Sequence, residues 1–348
     1  MTAPLLVTAD DALLDELLRL AAAAGVTPEV AHDAAGALRG WAGAAIVLVG
    51  SDVAADVARA SPRRRDGVFV VSLGTVDHDA FPAALAVGAE CVAELPRSGG
   101  WLVERLTDVL DTGTVGGRVI GVVGGSGGAG ATTFACALGQ VAGRDGPAIV
   151  VDTDPLGPGV DRVLGLDHVD GVRWGELAQT TGRLSARALR EAVPRRQGVA
   201  VLTWYAGPQG TLQAFAAREA VSAARRGHDL TVLDLSRAVD PLIGELAARC
   251  DQVLVVVSPT VVGLASAVRL ASRLSDVRGL ALVLRGAGAS PDAVSRLTGL
   301  SVWHAMPDQR GLSESIDLGF GPVRSRRGPL GRAAAAVLER MAVPARAA

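Results

Sequence analysis

The chain contains no lysine: all 34 of its Lys+Arg positions are arginine. No register of any loop can therefore place an ammonium group against a bound phosphate. Aromatic residues are scarce, at 3%. Cys91, Cys136 and Cys250 are odd in number and lack C-x-x-C spacing, which excludes a disulfide framework and a zinc site. They read as small buried apolar residues. Strong charge of one sign is missing too, with a formal net charge of −2, so counterion release from a nucleic acid has no basic face to draw on. No nucleic-acid partner is expected. Arginine runs at Arg63-Arg64-Arg65, Arg195-Arg196, Arg225-Arg226 and Arg324-Ser325-Arg326-Arg327 read as solvated loops. No apolar run reaches the ~18 residues of a membrane span. The N-terminal stretch holds Asp10, Asp11, Asp15 and Glu16 and lacks the pattern of an export signal. The expectation is a cytoplasmic protein that reaches a membrane only through recruitment.

What is present is alanine, valine, leucine and glycine in quantity, with 49% of the 348 residues hydrophobic. That composition suits layered α/β packing and gives length enough for two cores. Leu5–Thr8, Ala45–Val49 and Val68–Leu73 read as strands and Leu13–Ala24 as a helix. A second series follows at Val119–Val123, Ala148–Asp152, Val199–Trp204, Leu230–Asp234, Val253–Val257 and Leu280–Leu284. Strands alternating with helices predict two doubly wound α/β domains with parallel sheets. The turn-rich stretch at 111–117 reads as a linker between residues 1–110 and 118–348.

Residues 118–133 read as a strand, a glycine loop and a helix start. The frame G-x-x-x-x-G-K-[ST] runs from Gly125 through Ser126, Gly127, Gly128 and Ala129 to Gly130. Ala131 then stands where the lysine belongs, and Thr132 where a magnesium-binding hydroxyl belongs. Backbone amides and the dipole of the following helix attract phosphate without any side chain, and Thr133 can reach a phosphate oxygen. Asp152 and Asp154 close the second strand of the series, and Asp234 closes another. All three face the sheet edge where open α/β folds bind ligands. Singly, each aspartate reads as a turn or cap; jointly, they mark a magnesium–phosphate site.

The region 118–342 resembles the deviant Walker-A ATPases of the MinD/ParA superfamily, whose loop reads K-G-G-x-G-K-[ST]-T. Ser126 stands at the signature lysine and Ala131 at the Walker lysine, while Gly127, Gly128, Gly130, Thr132 and Thr133 match. The resemblance implies ATP and Mg2+ as ligands, with Thr132, Asp152 and Asp234 around the metal and Asp154 orienting the attacking water. It also implies that Arg285, Pro307 and Asp308 lie on the nucleotide side, since Leu284-Arg285 and Met306-Pro307-Asp308 stand for the family's base-strand and Ile-Pro-x-Asp segments. Loss of the Walker cation removes a contact of roughly 1.5–3 kcal/mol. Loss of the signature cation, which in the family reaches across a dimer, removes a rate factor of ~10³–10⁵. Weak binding and slow or absent hydrolysis are expected, with Arg162, Arg173 and Arg237 as candidate replacements.

The first unit resembles a response-regulator receiver domain, of flavodoxin-like topology. Asp10-Asp11 stand for its acidic pair and Ser72 for its hydroxyl. Gly50 follows the third strand where the phospho-acceptor belongs, Asp52 comes two positions late, and Leu95-Pro96 replaces Lys-Pro. A pseudo-receiver for docking or dimerisation is expected, and Asp10 reads equally as a helix cap. A receiver-like unit before such an ATPase resembles the CpaE/TadZ layout and the actinobacterial septum-site-determining branch of that group. The implied role is positioning cell-division or pilus and secretion machinery, as a homodimer. A competent ATPase using arginine for the lost lysines, and a nucleotide-free scaffold, stay open. Trp174, Trp204, Tyr205 and His228 read as structural, and the helix Leu330–Met341 reads as packed onto the second domain rather than inserted in lipid.

Overall fold

The computed structural model describes residues 3–76, 80–111, 117–177, 184–205, 211–238, 240–275, 277 and 279–342. The chain divides into two compact units, Met1–Val115 and Gly116–Ala348. Of the expected linker, residues 112–116 lie outside the described residues.

The first unit carries β1 (Leu5–Val7), β2 (Glu29–Ala31), β3 (Val47–Gly50), β4 (Val68–Leu73) and β5 (Cys91–Leu95), in the order β2-β1-β3-β4-β5. All pairings are parallel. Alternate side chains feed two cores. Leu6, Leu48, Phe69 and Val71 pack with the helices Asp11–Ala23 and Gly99–Asp111 on one face. Leu5, Val7, Val47, Val49, Val68 and Val70 pack on the other face against helices that include Ala34–Trp41 and Ala80–Val87. Central strands buried on both faces must be apolar at every position, so β1, β3 and β4 stand out in the sequence. The edge strands do not: Glu29 and Val30 of β2 are exposed. Cys91 opens the edge strand β5 and is exposed, contrary to the buried placement expected of it.

The second unit carries β6 (Arg118–Gly124), β7 (Ala148–Asp152), β8 (Arg195–Arg196), β9 (Val199–Leu202), β10 (Leu230–Leu235), β11 (Gln252–Val257), β12 (Leu280–Arg285) and β13 (Ser301–Met306). Their order is β13-β12-β11-β6-β10-β7-β9-β8. Among the described strands only β8 runs antiparallel to its neighbour. Val119 and Val123 face one core, Ile120 and Val122 the other. The chain leaves β6 for β7 on one side and later returns to β10 and β11, which flank β6. This reversal opens a crevice at the C-terminal ends of the central strands, where ligands of such sheets bind. The last helix, Pro329–Ala342, buries Leu330, Ala333, Ala334 and Val337 in the core shared with Phe134 and Leu138, as its apolar spacing implied. Two arginine runs are not loops: Arg195–Arg196 form β8, and Arg225 and Arg226 end the helix Ala214–Gly227.

Candidate functional site

The glycine loop joins β6 to the helix Ala131–Ala142. Gly130 is the helix N-cap, with φ at +93°, a left-handed conformation that favours glycine, and it offers no side-chain cap. The first-turn amides are thereby left to an external acceptor, at the positive end of the helix dipole. Gly127 and Gly128 are exposed, Ala129 is buried, and Ser126, Ala131, Thr132 and Thr133 are half-buried. Gly125 ties the loop to the sheet by donating its N–H to the Val256 carbonyl at 2.8 Å.

Two carboxylates lie beneath the loop on neighbouring strands. Asp234 of β10 is in register with Asp152 of β7, and both are buried. The Asp152 Oδ2 accepts from the Thr203 hydroxyl at 2.7 Å, and its Oδ1 from the Asp154 N–H at 3.0 Å. The Trp174 indole N–H donates to the Asp152 carbonyl at 2.7 Å and fixes the strand end from below. Asp234 receives a hydrogen bond from the Thr132 side chain. Burial pushes the Asp152 carboxyl up to about 6 against the pull of its hydrogen bonds. It pushes Asp234 up to about 8, with the nearby charges of Asp152 and Asp154 adding to the shift. Two acids that resist ionising together invite a cation. Asp154 is half-buried, and its carboxylate accepts from the Leu156 N–H at 3.0 Å in a local turn.

The structure thus brings the glycine loop, Thr132, Asp152 and Asp234 together. Arg285 joins them from the end of β12. Its Nε donates to Asp308 Oδ1 at 2.8 Å, and its Nη1 lies 3.4 Å from the carbonyls of Gly128 and Ala129. Pro307 is exposed beside Asp308. Of the three arginines considered as lysine replacements, Arg173 is buried in a pair with Asp161 at 3.3 Å and is committed there. Arg162 is exposed on the rim of a ~680 Å³ cavity that also reaches Asp152 and Arg173. Arg237 lies near the start of the loop, with its Nη2 3.2 Å from the Ser266 hydroxyl. Thr203 and Trp174, which orient Asp152, carry no motif that marks them in the sequence. Tyr205 is exposed, unlike Trp174 and the half-buried Trp204 beside it.

In the first unit, Asp10 caps its helix by accepting from Ala12 N–H at 2.8 Å. The Asp52 carboxylate accepts from the Thr8 hydroxyl at 3.0 Å and from the amides of Ala9 and Asp10 at 2.8 and 3.1 Å. It fills the space beside Gly50, where an added Cβ would collide with Asp52 and Thr8.

The sequence profile of the family described as "Rv3660c-like, CheY-like N-terminal domain" matches residues 7–117. The Mycobacterium tuberculosis H37Rv protein Rv3660c, itself described as uncharacterized, is 33% identical over 344 residues, covering 94% of this chain and 95% of that one. Among solved structures, the ParA family ATPase of Chlorobium tepidum superposes with a TM-score of 0.55 at 16% identity, covering 63% of this chain and 98% of its own. The septum site-determining protein MinD of Pyrococcus horikoshii, complexed with Mg-ADP, gives 0.53 at 19% identity, covering 64% of this chain and 95% of its own. These structures are similar in fold. With a third of its residues shared along nearly the whole length of Rv3660c, the chain belongs to the Rv3660c-like family, and in this chain a CheY-like unit precedes one with the MinD/ParA fold.

Proposed function

We propose that this chain is a nucleotide-responsive positioning protein that binds ATP with Mg2+ at residues 125–133 and acts by pairing with a second copy. The observation that carries the reading is the Asp234 carboxyl, buried beside Asp152 and touched by the Thr132 side chain. The donor set suits magnesium, which takes one or two carboxylates, a hydroxyl and phosphate oxygens rather than a closed protein cage. Thr132, Asp152 and Asp234 would hold the metal, directly or through water. Bound there, it would neutralise the two carboxylates and the phosphates together.

The chain's own contribution is main-chain. Amides of the loop and of the helix Ala131–Ala142 would grip phosphate, and by the family resemblance Asp154 would orient a water. With alanine at the Walker position and serine at the signature position, turnover is slow or absent and the bound state is the output. Pairing has a surface to use. Leu156, two residues beyond Asp154, is 92% exposed, and Val261 and Val262, at the start of the helix after β11, are 87% and 78% exposed. Large apolar side chains left in water are candidates for such a contact. The recruited partners are components of cell division or of pilus and secretion assemblies. Among the described residues no helix is long and apolar enough to cross a membrane.

Isothermal titration of the full chain with ATP and Mg2+ tests the reading, with saturable heat expected below millimolar ligand and lost in Asp234→Asn. A fluorescent fusion of Asp154→Ala should mislocalise in cells. Absence of heat at millimolar ATP, with normal localisation of the variant, overturns it.

A further inference from the structure

We infer that Arg285 is the cation of the lysine-free loop, supplied from β12 across the sheet rather than from the loop itself. The inference rests on the proposed nucleotide site and assigns its missing charge. Nη1 of Arg285 sits 3.4 Å from the carbonyl oxygens of both Gly128 and Ala129. A guanidinium on the carbonyl side of a peptide polarises it, so the Gly130 amide beyond the Ala129 carbonyl becomes a stronger donor. The loop is shaped for this approach: a Cβ on Gly130 would stand 2.8 Å from Nη1. Gly130 thus serves twice, allowing φ of +93° and leaving room for the arginine. The far side of the fork is pinned by Asp308, whose Oδ1 accepts from Nε at 2.8 Å.

Burial favours the role as well. The Arg285 side chain is 34% exposed, so part of its charge acts through protein rather than water. The other arginines weighed for the task are placed differently. Arg173 hydrogen-bonds the Gly171 and Val169 carbonyls rather than those of the glycine loop, and Arg237 lies at the opposite end of the loop, beside Gly124. The remoteness of Arg285 from the loop in sequence, 155 positions beyond Gly130, is why the glycine motif gives no sign of it.

Family resemblance would instead set Arg285 against the nucleotide base, and the two roles separate by choice of ligand. Titrations of the full chain with Mg2+ would use either ATP or inorganic tripolyphosphate, which has no base. Arg285→Gln is expected to weaken both by about tenfold or more, with Arg285→Lys regaining part of the loss and the salt dependence of binding reduced in the glutamine variant. Ligand-free melting should hold in both variants, because Asp308 is 68% exposed and a pair with one partner in solvent contributes little to stability. Tripolyphosphate binding unchanged in Arg285→Gln overturns the inference, whether or not ATP binding falls. A wild-type chain that binds neither ligand overturns the nucleotide site itself; one that binds both but ignores Arg285 overturns only this assignment.

Discussion

Asp234 stands opposite Asp152 on adjacent parallel strands, with both carboxyls buried at the ends of β10 and β7. Apolar residues on either side force this proximity: Leu230, Val232 and Leu233 and the run Ala148–Val151 are core residues on both faces, so the register that packs them also brings the acids together. Nothing about stability favours two such groups side by side. Their presence is a stability cost of the kind that functional sites carry.

Asp234→Asn should therefore stabilise the ligand-free protein. Removing one of two mutually repelling buried acids is expected to contribute about 1–2 kcal/mol, several degrees in melting temperature. The same change should abolish the upward shift produced by Mg2+ and ATP. A lower melting temperature for the ligand-free variant would count against the carboxylate pair as a strained site.

His228 predicts a pH effect in the same unit. It follows the helix Ala214–Gly227, is 5% exposed, and has its Nδ1 3.0 Å from the Ala224 carbonyl. Burial, helped by the charge of Arg190, pulls its pKa down to about 4, although Asp229 and the Ala224 carbonyl oppose this. The unfolded chain binds a proton below pH ~6.5 that the folded chain refuses until about 4. Stability from this residue is complete above pH ~6.5 and declines as pH falls through that window. Asp152 and Asp234, raised rather than lowered, tilt the other way, so the informative quantity is a difference. Relative to wild type, His228→Gln should gain about 2 kcal/mol in urea unfolding on going from pH 7 to pH 5. Parallel pH profiles would refute it.

Much of the architecture was legible because central parallel strands must be apolar throughout. Val68–Leu73 and Ala148–Asp152 fall where the valine and isoleucine runs place them. The edges were not legible. β13 reads Ser-Val-Trp-His-Ala-Met and exposes much of its length, and β2 spans three residues, so neither shows a run or a clean alternation. At the site, strand-end aspartates and the glycine loop announced themselves through spacing. The contacts of Arg285 with Gly128 and of Thr203 with Asp152 did not, since they depend on strand order in space and not on local pattern.

Asp52 decides the behaviour of the first unit. Its carboxylate already takes the donors of Thr8, Ala9 and Asp10, and Gly50 supplies no acceptor. Incubation with acetyl phosphate and Mg2+ should leave the mass of the chain unchanged. Asp52→Ala should lower stability by about 1 kcal/mol, the usual contribution of such a cap. Addition of one phosphate at Asp52 would show that the pocket still performs receiver chemistry.

Arg173 gives the last test, because its guanidinium contacts Asp161 and the Gly171 and Val169 carbonyls instead of the glycine loop. Its side chain is 5% exposed and lies 3.3 Å from Asp161, itself 10% exposed, with further bonds to the Gly171 and Val169 carbonyls. Asp161→Ala should cost about 3–5 kcal/mol, since it strands a buried guanidinium. Adding Arg173→Leu should recover most of that loss, because an uncharged side chain needs no partner. The double variant should also keep wild-type affinity for ATP. A double variant that folds well yet loses the nucleotide would transfer the loop's charge from Arg285 to Arg173.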